Sequence, residues 1–139
     1  MSALLLETAR PYGETIMKPR WRWTIWFVLF ALWTIGLTRP IPDFTEIVGD
    51  EAMQYRFHLA KTLHVAVYAG LTVLTTWLRA PMRWRVALMF FLMAHATVTE
   101  HIQLFVPGRI GHLHDVGWDN LGVLLGLVVS WKWWSAEEK

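Results

Sequence analysis

Between two runs of apolar residues lies the stretch "TEHIQLFVPGRIGHLHDVGWDN", residues 99–120, which holds Glu100, His101, Gln103, Arg109, His112, His114, Asp115, Asp119 and Asn120. Histidine beside carboxylates is the material of acid–base chemistry, and arginine or lysine beside them is the material of anion binding. A second set stands upstream. Lys61, His64 and Tyr68 recur at i, i+3 and i+7 and so share one face if the segment is helical. Downstream, Asp115, Asp119, Gly122 and Gly126 follow the same rule at i, i+4, i+7 and i+11. Thr97, Glu100 and Gln103 suggest a third stripe between these two.

The elements that carry these stripes are apolar. Four segments emerge, at about 21–38, 57–78, 84–106 and 116–134. Each is close to the roughly 20 residues that cross a 30 Å hydrocarbon layer as helix. None shows period-2 alternation, and open strand edges are not tolerated in lipid. The expectation is an all-α integral membrane bundle of four transmembrane helices forming a single domain over residues 1–139. Orientation follows from Arg10, Lys18, Arg20, Arg22, Arg79, Arg83, Arg85, Lys132 and Lys139, which all fall at one side of such a bundle. Trp21, Trp23, Trp77, Trp84, Trp131, Trp133 and Trp134 gather there too, and both signals make that side, with both termini, cytoplasmic. The acidic connection from Arg39 to Arg56 and the turn from Pro107 to His114, with Gly108 and Gly111, are then external, and the former has room for a short surface helix.

Composition narrows the function. Of 139 residues 55% are apolar and ten are tryptophan, more apolar surface than a soluble domain of this size can hide. The formal charge of +2 is spread in short groups and forms no continuous basic face, which sets nucleic acid aside as a partner. Cysteine is absent, so thiolate catalysis, disulfides and Cys-type zinc sites are excluded. The first 20 residues are not expected to act as a secretory signal.

Taken in order, "KTLHVAVY", "TEHIQLFVPGR" and "DVGWDNLGVLLG" resemble the VanZ-like family of small bacterial membrane proteins, over roughly residues 58–130. Asp119 stands where that family usually has Asn, with Asn120 one place later. The resemblance implies a multi-pass protein of the bacterial inner membrane and cell envelope. Through the family's namesake it also implies a link to resistance against teicoplanin, a lipid-tailed glycopeptide.

A buried carboxylate in lipid costs a few kcal/mol or more without a partner, so the three stripes are expected to turn inward around one outward-facing pocket. There His64, Glu100 and Asp115 are the candidate acid–base groups. Lys61, Tyr68, Gln103, Arg109, Asp119 and Asn120 are the candidate substrate-binding groups, with Lys61 and Arg109 holding a phosphate or carboxylate. His95 reads as a packed, hydrogen-bonded histidine, His58 and His101 as interfacial residues, and Gly122 and Gly126 as helix-packing positions. "HLHD" at 112–115 could supply two metal ligands, completed by Glu100 or His64. A loop with two histidines is more often only a loop, so neither metal nor cofactor is expected. Two function classes fit: an enzyme acting on a lipid-linked envelope intermediate or lipid-tailed antibiotic, and a non-catalytic module that binds the same anionic headgroup. The lack of Cys, and of Ser near the stripes, favours water-mediated hydrolysis over acyl-enzyme chemistry within the first. A structural ion-pair lock between helices, or a helix-bundle partner in a larger envelope complex, is the third reading.

Overall fold

The computed structural model describes residues 20–40, 50–109 and 113–135. Four helices follow one another: α1 (Arg20–Thr38), α2 (Asp50–Trp77), α3 (Met82–Gln103) and α4 (Leu113–Ser135), and no strand occurs among the described residues. Each corresponds to one apolar segment of the sequence. α2 begins at Asp50 and so takes up the end of the connection that had room for a short surface helix. Residues 50–56 contain no helix breaker but are mostly polar, so hydropathy alone has no reason to include them. Residues 41–49, the rest of that connection, lie outside the described part, as do 110–112 with Gly111 and His112.

α3 stops at Gln103 and not Val106, because Pro107 disfavours helical geometry in the residue before it. The chain tightens instead into three-residue turns: Phe105 N–H donates to Ile102 (3.0 Å), Val106 to Gln103 (3.2 Å) and Arg109 to Val106 (3.1 Å). Gly108, at φ 74°, supplies the left-handed residue this turn needs. Arg79 does the same at φ 50° between α2 and α3.

The helices alternate in direction, so α2 and α4 run parallel, and their seam is the tightest among the described helices. A Cβ placed on Gly122 would stand 2.5 Å from the Val65 carbonyl oxygen, and one on Gly126 2.5 Å from that of Ala69. Only glycine lets the two backbones come this close, which is the packing role expected of this pair. Thr72, Thr75 and Ser130 are buried in this region, and each hydroxyl donates to a carbonyl of its own helix. The apolar core centres on Trp26, Tyr68, Leu71, Leu92, Ala96 and Val123. Trp26 Nε1 donates to the Leu71 carbonyl at 3.1 Å, which fixes α1 against α2.

Two arginines close the end where α1 and α3 begin. Arg22 donates to the Trp77 carbonyl at the C-terminus of α2 (2.8 Å), and the buried Arg85 to the Trp133 carbonyl near the C-terminus of α4 (3.3 Å). Cations at helix C-termini meet the negative end of the dipole as well as orphan carbonyls. Outward, the helices display large apolar side chains, among them Phe27, Leu32, Phe90, Leu124, Val128 and Val129. The segment Phe57–Trp77 is long and apolar enough to cross a membrane. The other three dilute their apolar runs with Arg, His, carboxylates and many tryptophans.

Candidate functional site

Parallel packing of α2 and α4 lines up their polar positions as rungs. At the outer rung the Lys61 ammonium meets Asp115 at 3.0 Å, with side chains 24% and 16% exposed. Lys61 also lies over the Phe57 ring, 4.1 Å from its centroid. One turn deeper, His64 Nδ1 and Asp119 Oδ1 are 2.9 Å apart and Asp119 is fully buried. An ionised Asp119 can only accept, so His64 donates from Nδ1 and its Nε2 remains available for other chemistry. The edge of Trp33 packs against the imidazole with centroids 5.2 Å apart. The next step down is Gly122, where side chains end and the backbones touch.

A second line of hydrogen bonds crosses the bundle at greater depth. Tyr68 Oη lies 3.0 Å from His95 Nδ1, and Thr34 Oγ1 lies 3.0 Å from His95 Nε2. The Thr34 hydroxyl already donates to the Phe30 carbonyl at 2.8 Å. It must therefore accept from His95 Nε2–H, which leaves Nδ1 to accept the Tyr68 proton. This fixed tautomer makes Tyr68, His95 and Thr34 a closed tie between α2, α3 and α1.

α3 contributes Glu100, which is buried. One ligand-capable atom each from His64, Glu100 and Asp119 lie within 4.8 Å of one another, so an imidazole and two carboxylates converge on one point. The α3 face that points inward is Ala96, Thr99, Glu100 and Gln103. Thr97, placed on that stripe by its spacing, is exposed and bonds back to the Met93 carbonyl. A helix of 3.6 residues per turn centres its face on i, i+3, i+4 and i+7, which Thr97 misses and Thr99 does not.

The other candidates divide between site and scaffold. Gln103 Nε2 donates to the Leu37 carbonyl at 3.3 Å. Arg109 donates from Nε to the Arg39 carbonyl at 3.3 Å and from a terminal nitrogen to that of Gly36. Both therefore close the C-terminus of α1. Burial lowers the Arg109 guanidinium below its ordinary pKa, and the negative charge of Glu100 opposes that shift. Asp115 pairs with Lys61, and it is Asp119 that orients His64. Asn120 is half-buried, and its Oδ1 is buried without a hydrogen-bond donor. His58 and His101 are exposed, as expected of interfacial residues; His114 is exposed as well. The "HLHD" metal reading depends on His112, which falls outside the described residues. Trp33 and Thr34 escape sequence reasoning because α1 has no polar stripe to mark them; only topology brings them to the cluster.

Beside the outer rung, His58, Lys61, Thr62, Val65, Trp118 and Leu121 line an open groove of about 310 Å³ between α2 and α4. Its polar members sit toward one end of the helices and its apolar members continue toward the bundle's middle.

Four alternating helices with a glycine seam and a polar cluster of Lys, His and carboxylates at one end define a small all-α helical-bundle protein. The profile of the VanZ/LLP1 family matches residues 10–134, and the chain belongs to that family. No curated protein and no solved structure matches the chain.

Proposed function

We propose that this VanZ-like protein sits in the bacterial inner membrane with all four helices as spans and both termini cytoplasmic. Its outward polar cluster there binds or processes an anionic amphiphile. Support for the placement comes from the outward apolar side chains and the one-sided basic and tryptophan residues. The observation that carries the ligand class is the groove. Lys61, His58 and Thr62 offer donors to a headgroup, while Val65, Trp118 and Leu121 offer a wall to a hydrocarbon chain. Lys61 stands on the edge between this groove and the buried cluster, with Asp115 as a resident counter-anion that an incoming phosphate can displace.

Lipid-linked envelope intermediates such as polyprenyl phosphates, and lipid-tailed glycopeptides, have this chemistry: one charged head and one long chain. His64, held by Asp119 and close to Glu100, is the group suited to move a proton at the head. Gln103 and Arg109 act by holding the end of α1 against the cluster, and Tyr68 by holding His95.

The test uses the purified full chain in lipid nanodiscs presented with polyprenyl phosphate, with retention read by native mass spectrometry and turnover by phosphate release. Retention that weakens about ten-fold or more in Lys61→Met is expected, since a hydrogen bond to a charged group contributes about 1.5–3 kcal/mol. Phosphate release that His64→Gln abolishes would assign turnover; retention alone would assign a binding module. Equal retention by wild type and Lys61→Met would refute the reading.

A further inference from the structure

We propose that His64, Glu100 and Asp119 form a binding site for one first-row divalent cation, of the Mn²⁺ or Zn²⁺ type. The three side chains come from α2, α3 and α4 and bring ligand atoms within 4.8 Å of one another. Ligands on a single ion with bonds of about 2.0–2.2 Å stand roughly 3.3–4.4 Å apart, so the set needs only slight adjustment, with His64 offering Nδ1 in place of its hydrogen bond to Asp119 and keeping its proton on Nε2. Imidazole with two carboxylates is a borderline-hard donor set, suited to Mn²⁺ or Zn²⁺ and poorly suited to soft ions.

A second observation points to a ligand independently of this convergence. Asp119 is fully buried, its Oδ1 accepts from His64, and its Oδ2 is buried with no hydrogen-bond donor. A buried carboxylate oxygen without a donor is costly, and a cation or a bound water is the usual resolution. Two buried carboxylates favour the cation. Lys61 pairs with Asp115, and Arg109 donates to the α1 carbonyls while also feeling the charge of Glu100, so neither donates to Oδ2 of Asp119. The α2–α4 glycine seam directly below holds two of the three ligand-bearing helices in register, and Trp33 shields one side of His64. A cation there would sit one rung below Lys61, adding positive charge where the proposed headgroup arrives.

The inference deepens the functional reading above but stands on the cluster's own geometry, and its test separates the two. Full-length protein in detergent, stripped with chelator, is titrated with Mn²⁺ while free Mn²⁺ is read by electron paramagnetic resonance. Expected is one Mn²⁺ per chain, with affinity lowered about ten-fold or more in Glu100→Gln and in Asp119→Asn, since even outer-shell changes at metal sites cost 10–100-fold. Electron spin-echo spectra should show nitrogen coupling that His64→Gln removes and His101→Ala retains. Should a variant fail to fold, as judged by circular dichroism, the wild-type nitrogen coupling and its persistence in His101→Ala still decide. Absence of a stoichiometric site, or of nitrogen coupling at it, overturns the proposal, as does equal binding by wild type and folded triad variants; water alone would then satisfy Asp119. Lys61→Met should keep Mn²⁺ and lose polyprenyl phosphate. Mn²⁺ binding without any lipid retention would refute the amphiphile reading alone, and lipid retention without Mn²⁺ would refute the cation alone.

Discussion

The two ends of this bundle both carry charged groups and use them in opposite ways. Where α1 and α3 begin, Arg22 and Arg85 reach across to the carbonyls of Trp77 and Trp133. Arg22 also lies 5.1 Å from the Trp77 ring centroid, and the Trp21 and Trp77 rings meet edge-on. Buried groups left over there are donors, the Arg22 Nε–H and the Trp134 indole N–H. At the other end carboxylates meet Lys61 and His64, and the leftover groups include oxygens of Asp119 and Asn120. Arginine on a helix terminus completes the backbone and has little freedom for anything else. A carboxylate oxygen beside an imidazole, with nothing donating to it, has capacity for a proton or a cation. The comparison separates a scaffold end from a chemical end.

Substitutions can break that contrast, and the largest effect is expected where both ends depend on one seam. Gly126→Ala puts a Cβ 2.5 Å from the Ala69 carbonyl oxygen and 2.7 Å from Thr72 Cβ. Neither atom is the far end of a flexible side chain, so the helices must part. A loss of about 1–3 kcal/mol is expected in chemical unfolding, with lipid retention falling alongside. Arg85→Met should cost a comparable or smaller amount, about 1–3 kcal/mol, because a carbonyl of α4 loses its donor in a buried setting. Lipid retention should survive it, since the change lies at the far end. Tyr68→Phe should cost about 1 kcal/mol by removing the proton donated to His95, again without loss of retention. Loss of retention in folded Tyr68→Phe would move that hydroxyl from the scaffold into the site.

The sequence carries the four helices openly, because each is a long apolar run between polar breaks. It also carries the shared faces of Lys61, His64 and Tyr68 and of Asp115 through Gly126, since spacing alone places these. Partner choice is another matter. Alternating spans already make α2 and α4 parallel, but nothing in the spacing says that they are neighbours in a register pairing Lys61 with Asp115 and His64 with Asp119. Asp119 could thus be read as a lining residue when it is the carboxylate on the imidazole, and its place relative to Asn120 needed the packed helix. Arg109 shows the same limit. Its charge suggests an anion, while its position beyond α3 brings it to the end of α1, where backbone carbonyls claim its hydrogen bonds. The start of α2 at Asp50 and the stop of α3 at Gln103 depend on polar residues and on Pro107, which hydropathy does not weigh.

On the proposed reading, the His64, Glu100 and Asp119 end is built for ligands and not for holding helices together. Unfolding free energy and Mn²⁺ affinity measured side by side on Glu100→Gln are the sharpest test. The amide keeps the shape of the side chain and removes its charge. We predict stability within about 1 kcal/mol of wild type, well below the cost of breaking a buried ion pair, together with Mn²⁺ affinity about ten-fold or more lower. A fall of about 3–5 kcal/mol, as when a buried ion pair is broken, with Mn²⁺ affinity intact in the molecules that remain folded, would contradict it.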